Sequence, residues 1–387
     1  MSATARRLAH IPPTVFSEMS ALAVRTGAVN LGQGFPDADG PASVIAAAAE
    51  ALSSGANQYA PGIGVPALRA AIARHQQRHY GLEVDPDTEV VVTTGCTEAI
   101  AGALLGLVDA GDEVVVLEPY YDSYVAILDM CGAQRKAVTL RAPSFRPDLD
   151  QLREAVTDRT KAILLNTPHN PTGTVLTREE LQVVADLAIE HDVLVITDEV
   201  YEHLVLNGRT HTPIATLPGM WERTLTLSSV GKSYSLTGWK VGWATGPAPL
   251  VQAVLAAKQW LTFTSGAPLQ PAVAHALDHE SDWPQQLARD LQVRRDLLCA
   301  GLVDAGLTPR VPEGTYFATT DISHLGWSDG REFCLALPER AGVVAIPTQG
   351  FYDDTTAGLQ LVRWAFCKDA DVVREGVRRL AAADLSR

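Results

Sequence analysis

Positive charge is what this chain has least of. Its 31 Lys and Arg stand against 45 Asp and Glu, a net charge of −14 over 387 residues. A nucleic-acid binder neutralises phosphates with clustered basic residues, and the single short cluster, Arg6-Arg7, does not supply them. Cysteine is also sparse: Cys96, Cys131, Cys299, Cys334 and Cys367 are odd in number, scattered and without a C-x-x-C pair. Neither a disulfide framework nor a zinc ribbon is expected, and a reducing cytoplasm fits. No apolar run approaches the ~20 residues of a membrane helix. The longest, Ile100 to Val108, holds two glycines and is bracketed by Glu98 and Asp109. The N-terminus has no continuous apolar stretch, so no secretory signal is read. Repeats and low-complexity tracts are absent. The ten histidines read as having no H-E-x-x-H or similar ligand spacing, so no metal is expected.

What is present is ordinary globular material, 47% hydrophobic and 20% charged, which excludes disordered and collagen-like classes. At roughly 150 residues per domain, two or three domains are expected. Short β-branched runs alternate with helical patterns through the middle of the chain. Candidate strands are Glu89–Thr94, Asp112–Glu118, Lys161–Asn166, Val193–Asp198 and Thr224–Ser229. Candidate helices are Thr97–Val108, Leu149–Val156, Arg178–His191, capped at Thr177, and Leu250–Trp260. Near-continuous Val, Ile and Leu predicts strands covered on both faces, hence a mostly parallel α/β sheet. From about Trp283 a long helical segment, short strands near Thr315–Thr320 and Gly342–Ile346, and a final helix from Asp369 predict a smaller α+β lobe. The first forty residues, rich in turn formers such as Pro12, Pro13, Gly32, Gly34 and Pro36, predict an arm.

Open sheets of this kind bind ligands beyond the carboxyl ends of their strands. After the first strand, Gly95-Cys96-Thr97 leads into a helix whose N–H groups could hold a phosphate or simply make a turn. Tyr121 follows the second, Asn166 and Asn170 the third, Asp198 and Tyr201 the fourth, and Ser229, Lys232 and Lys240 the fifth. Taken singly these are turn residues, caps and solvated amines. Taken together they are the chemical complement of pyridoxal 5′-phosphate. Its aldehyde needs a primary amine, offered by Lys232 or Lys240. The pyridine nitrogen needs a carboxylate, the ring oxygen an amide and a phenol, and the phosphate N–H groups, hydroxyls and a cation.

On the motifs NLGQGFPD, NQYAPGIG, LNTPHNPTG, ITDEVYEHL, SSVGKSYSLTGWKVGW and LVRWAFCKD, essentially the whole chain resembles the class I aminotransferases. These are fold-type I pyridoxal-phosphate enzymes, and the resemblance is to the branch holding kynurenine, glutamine, methionine and actinobacterial N-succinyldiaminopimelate aminotransferases. The resemblance implies that Lys232 is the Schiff-base lysine and general base, that Asp198 pairs with the pyridine nitrogen, and that Tyr201 and Asn170 serve the ring oxygen. It further implies Tyr121 as the stacking ring, Cys96, Thr97, Ser229 and Lys240 as phosphate ligands, and Arg363 as the substrate carboxylate's partner. Gly34 would lie over that carboxylate, and Tyr59 would reach the neighbouring subunit's phosphate in a homodimer with shared sites. By spacing, Phe16 occupies the place of an indole in the kynurenine-type members, which removes a donor from the substrate wall.

The implied layout is an arm over residues 1–40 belonging to the small domain, a large cofactor domain over 41–285 and a small domain over 286–387. The implied reaction is ping-pong transfer of an amino group between an L-amino acid and a 2-oxo acid. 2-Oxoglutarate and glutamate are the expected currency, and N-succinyl-L,L-diaminopimelate, methionine, glutamine or aromatic amino acids are the candidate donors. A cysteine-conjugate β-lyase would use the same residues. A cofactor-sensing transcription regulator would need a DNA-binding module, for which the acidic chain gives no sign. Because the protein is acidic overall, Lys232, Lys240 and Arg363 are expected to be buried as a local positive pocket.

Overall fold

A computed structural model describes residues 4–9, 11 and 13–387; Pro12 of the expected arm lies outside them. The arm is more than turns. The segment Val15–Thr26 is a helix, entered at Thr14, whose hydroxyl accepts from the Ser17 N–H, and left at a left-handed Gly27. Met19, Leu22 and Ala23 form its buried face, the i, i+3, i+4 spacing of an amphipathic helix, which the density of Pro and Gly around it obscured. Strand β1 (Val29–Asn30) follows.

The central sheet comprises β2 (Val90–Thr93), β3 (Glu113–Glu118), β4 (Gln134–Thr139), β5 (Thr160–Asn166), β6 (Leu194–Asp198), β7 (Thr224–Ser229) and β8 (Gly242–Thr245). Their spatial order is β2-β8-β7-β6-β5-β3-β4. All residues of β2, β3, β7 and β8 are buried, as expected of strands covered on both faces. The five expected strands are present, and two unexpected ones join them. β4, QRKAVT, is an edge strand, where charged side chains face water and discourage further pairing. β8, GWAT, is four residues long and opens on a glycine.

Parallel pairing runs unbroken from β4 through β3, β5 and β6 to β7. β8 is antiparallel to both β7 and β2, so β2 points the same way as the parallel set. The carboxyl ends of β2, β3, β5, β6 and β7 therefore open on one edge. Register there sets Asn166 beside Asp198 and both Thr93 and Ser229 beside Gly242.

The rest of the chain adds β9 (Thr308–Arg310), β10 (Phe317–Asp321), β11 (Val343–Val344), β12 (Ile346–Pro347) and β13 (Leu361–Ala365). Strands β12, β13, β10 and β9 form an antiparallel sheet. β11 instead takes β1 as a parallel partner, Val29 opposite Val343, which ties the arm to the chain's last hundred residues. The long helix Trp283–Asp304 and the final helix Ala370–Ala381 pack against each other.

Candidate active site

A cavity of about 150 Å³ lies at the edge where the parallel strands end. Among the residues singled out from the sequence, Cys96, Thr97, Tyr121, Asn170, Asp198, Tyr201, Ser229, Lys232 and Lys240 line it, as does Asn166. One end is built for an anion. The helix Gly95–Leu107 begins there with no side chain capping it, so its first N–H groups and its dipole are open to a negative ligand. Gly95 has φ +72, and a Cβ on it would stand 2.9 Å from Lys240 Nζ. Glycine thus serves both the left-handed turn and the approach of the amine.

The expected burial of all three cations is corrected here. Arg363 is buried and Lys232 half-buried, but Lys240 is exposed. A strongly hydrated ammonium is cheaper to keep at the rim, with its flexible stem delivering the charge inward.

Asp198 occupies the floor. Tyr124 Oη–H donates to its Oδ2 at 2.7 Å, the Val200 N–H to its Oδ1 at 3.2 Å and the Cys96 thiol to Oδ1 at 3.6 Å. Asn166 holds the same residue from behind, its Nδ2 donating to the Asp198 carbonyl at 2.9 Å, while its Oδ1 accepts the Asn170 N–H at 2.8 Å. Burial nevertheless raises the Asp198 pKa, against the pull of these donors and of Lys232. Lys232 Nζ sits 5.8 Å from the Tyr201 ring centre and 6.0 Å from that of Tyr316. Burial lowers its pKa, with Cys367 and Asp198 opposing and Lys240 and Arg363 reinforcing the shift. Burial likewise raises Tyr201, and it lifts Tyr121 to about 12.

Arg363, on β13, is not among the residues that line this cavity, nor are Phe16 and Gly34; it adjoins the cavity through the lining residue Asn170. Its two terminal nitrogens donate to Asn170 Oδ1 at 3.0 Å and to the Gly32 carbonyl at 2.9 Å. Its Nε has no partner. The guanidinium carbon lies 3.9 Å from the Phe317 ring centre, 4.9 Å from Phe16 and 5.9 Å from Phe351. Burial brings its pKa down to about 10. No carboxylate of the described residues forms an ion pair with it, so this buried cation is held by two carbonyl-type oxygens and three rings. Phe16 stacks on Phe351 at 5.7 Å. Gly34 accepts from Tyr316 Oη at 2.7 Å, and a Cβ on it would meet Phe317 at 2.6 Å. Tyr59 stands away from the cavity, 84% exposed and edge-on to Phe263 at 5.4 Å.

Pyridoxal phosphate fits these residues. The uncapped helix start and Lys240 suit its phosphate, and a desolvated amine suits its aldehyde. A buried carboxyl with three donors but a raised pKa suits a cationic ring nitrogen, which would relieve its desolvation. Tyr124, Tyr316, Phe317 and Phe351 were not assigned roles from the sequence, although Tyr124 stands one helical turn beyond Tyr121. Elsewhere, His75 and His79, four residues apart in HQQRH and not singled out from the sequence, meet His203 with ligand atoms within 4.8 Å of one another. That i, i+4 pair shares a helix face, a spacing the scan for H-E-x-x-H passed over.

The family profile described as aminotransferase class I and II matches residues 26–380. A probable N-succinyldiaminopimelate aminotransferase of Mycobacterium tuberculosis is 51% identical over 98% of this chain and 98% of its own. A methionine aminotransferase of Escherichia coli is 38% identical over 97% of each. The solved structure of N-succinyldiaminopimelate aminotransferase from M. tuberculosis superposes with a TM-score of 0.96 at 52% identity, covering 98% of this chain and 100% of the other. With strand ends, cavity chemistry and whole-chain similarity in agreement, the chain belongs to the class I and II aminotransferases and is a pyridoxal-phosphate-dependent enzyme of fold type I.

Proposed function

We propose that the enzyme moves the amino group between N-succinyl-L,L-diaminopimelate and 2-oxoglutarate in a ping-pong reaction, with the residue roles carried by Lys232, Asp198 and Arg363. The observation that carries the amino-acid reading is Arg363, a buried cation whose Nε lacks a partner. A planar fork of this kind takes a substrate carboxylate in two parallel hydrogen bonds. The choice of donor rests on the 51% identity to the mycobacterial relative. When bound, the cofactor supplies an aldehyde and an electron-withdrawing pyridinium ring.

The protein's own residues do the rest. Arg363 fixes the carboxylate, with the Gly34 backbone beside it. Lys232 Nζ, its pKa lowered by burial, would be the general base and acid, taking the proton from the substrate Cα and holding it on its amine. Asp198 would keep the ring nitrogen protonated, and Tyr201 and Asn170 would hold the ring oxygen. Tyr121 would cover the ring; Cys96, Thr97, Ser229 and Lys240 would hold the phosphate. Phe16, Phe317 and Phe351 exclude water around Arg363.

The division proposed with this role is an arm over 1–40, a large domain over 41–285 and a small domain over 286–387, working in the cytoplasm as a homodimer. Tyr59 supports the dimer: it is exposed beside Phe263, which is 53% exposed, and Trp260, three residues before Phe263 in the chain, is 83% exposed. Large aromatics in such numbers mark an interface, and Tyr59 would complete the partner's phosphate site.

The deciding experiment is a half-reaction screen that follows bleaching of the bound cofactor's visible band as single amino acids are added without any oxo acid. N-succinyl-L,L-diaminopimelate should react with the highest second-order rate constant. A faster reaction with methionine, glutamine or an aromatic amino acid overturns the donor, and release of pyruvate and ammonia from a cysteine conjugate points to the β-lyase. Arg363→Lys should raise KM for every amino acid by a common factor of ~10–100, the value of a charged hydrogen bond of ~1.5–3 kcal/mol. A rise confined to one substrate would mean that Arg363 reads the side chain.

A further inference from the structure

Away from the cofactor cavity, three imidazoles face one another. His75 and His79 project from the last two turns of the helix Pro66–Tyr80, and His203 comes from the segment that follows β6. Their ring centres form a nearly equilateral triangle with sides of 4.6, 4.8 and 5.0 Å. A tetrahedral ion with metal–nitrogen bonds of ~2.0–2.1 Å holds imidazole centres roughly 5 Å apart. His75 Nε2 and His203 Nε2 point at each other across 2.7 Å, and small ring rotations would turn both toward a shared ion. His75 is 1% exposed, yet its Nδ1 has no hydrogen-bond partner.

We propose that His75, His79 and His203 form a binding site for a divalent first-row transition ion of zinc type. Imidazole nitrogens suit zinc, copper and nickel over the hard cations. The Glu202 carboxylate lies 4.0 Å from His203 Nε2. It accepts hydrogen bonds from Ser228 Oγ at 2.6 Å and Tyr80 Oη at 2.5 Å. It thus supplies a fixed negative charge beside the triad and can orient a water in the fourth position. The nearby cation Arg78 is engaged with the Leu277 carbonyl. Entry is available because His203 also lines an open cleft with Asn207, Gln285 and Gln292.

The ion is a structural staple rather than a catalyst. His203 lies two residues beyond Tyr201, and Glu202 accepts from Ser228 Oγ at 2.6 Å, one residue before Ser229. Binding would therefore clamp an outer helix to the segment that carries the ring-nitrogen and phosphate ligands.

The test uses tag-free holoenzyme freed of metal with a chelator, to which Zn²⁺ is added before gel filtration and elemental analysis, with Co²⁺ as the spectroscopic probe. One ion per chain, visible d–d absorption of tetrahedral Co²⁺ and a raised Tm are expected. His79→Gln and His203→Gln should each weaken Zn²⁺ binding by at least ~100-fold, beyond what loss of a supporting residue costs. His279→Gln is the control, because His275 and His279 form a second i, i+4 pair with ring centres 4.8 Å apart but no third ring. Far-ultraviolet circular dichroism and the cofactor's visible band verify folding of the metal-free variants; if His203→Gln misfolds, His79→Gln, at a half-buried position, decides. Absence of a stoichiometric ion, an ion that survives His79→Gln, or one that leaves with His279→Gln overturns the proposal.

Discussion

Lys232→Ala should lower turnover by about 10⁴-fold or more while leaving the cofactor bound. Positioned proton transfer contributes up to ~10⁴-fold, and the same amine is the cofactor's attachment point. Retention follows from the roles proposed: the uncapped helix start and Lys240, which would hold the phosphate end, do not involve Lys232. Borohydride followed by peptide mapping should find the cofactor on Lys232 in the parent enzyme and on no residue in the variant. Small primary amines added in solution should restore part of the lost rate. The strand-end chemistry offered Lys232 and Lys240 alike and the family resemblance chose Lys232; in the structure one amine lies among Tyr201 and Tyr316 and the other over the helix start. A reduced adduct on Lys240 would reverse the roles proposed for the two.

The second large effect concerns Asp198→Asn. Loss of the carboxylate should reduce kcat by ~10²–10³-fold, the range for one preorganised electrostatic contact, with the cofactor still bound. The amide is nearly isosteric, and the Tyr124 hydroxyl, which donates to Asp198 at 2.7 Å, can rotate to accept instead. In the cofactor-free protein the same change should increase stability at neutral pH, since it removes a buried charge. The sign follows from linkage. The folded-state pKa of Asp198 is raised above 3.8, chiefly by burial, so between these values the native state binds more protons than the unfolded one, and stability falls as pH rises through that window. Asp198→Asn should abolish this group's share of that slope. Cofactor should restore stability to the parent enzyme more than to the variant, because only the parent has a charge to pair with the ring nitrogen. Thermal melts with and without cofactor across pH measure both; equal gains would remove Asp198 from that role.

The metal proposal shows where reading the sequence stops. HQQRH places two imidazoles on one helix face by local geometry alone, but His203 is more than a hundred residues away, and only packing of the helix against the loop after β6 completes the triad. Tyr124 and Phe351 were illegible for a related reason. An aromatic residue in a helix or short turn reads as core, and its role comes from which carboxylate or guanidinium it faces. β4 escaped notice because an edge strand carries charge where a central strand carries valine.

The central strands were legible because burial on both faces leaves an unbroken apolar run, and the turn after each strand showed which polar groups stand at its mouth. From that the sequence by itself determined five of the sheet's seven strands, its ligand-bearing edge and the identity of Asp198, Tyr201 and Lys232 as candidates. It could not determine exposure. Lys240 and Arg363 are both cations near one cavity, yet one is left at the rim and the other is buried with an unpartnered Nε. That difference arises because β13 lies against β10 and β12 in the antiparallel sheet, where Phe16, Phe317 and Phe351 from distant parts of the chain exclude water. Desolvation depends on every neighbour at once, so the shifted pKa values of the site, and with them its chemistry, were decided by the tertiary structure.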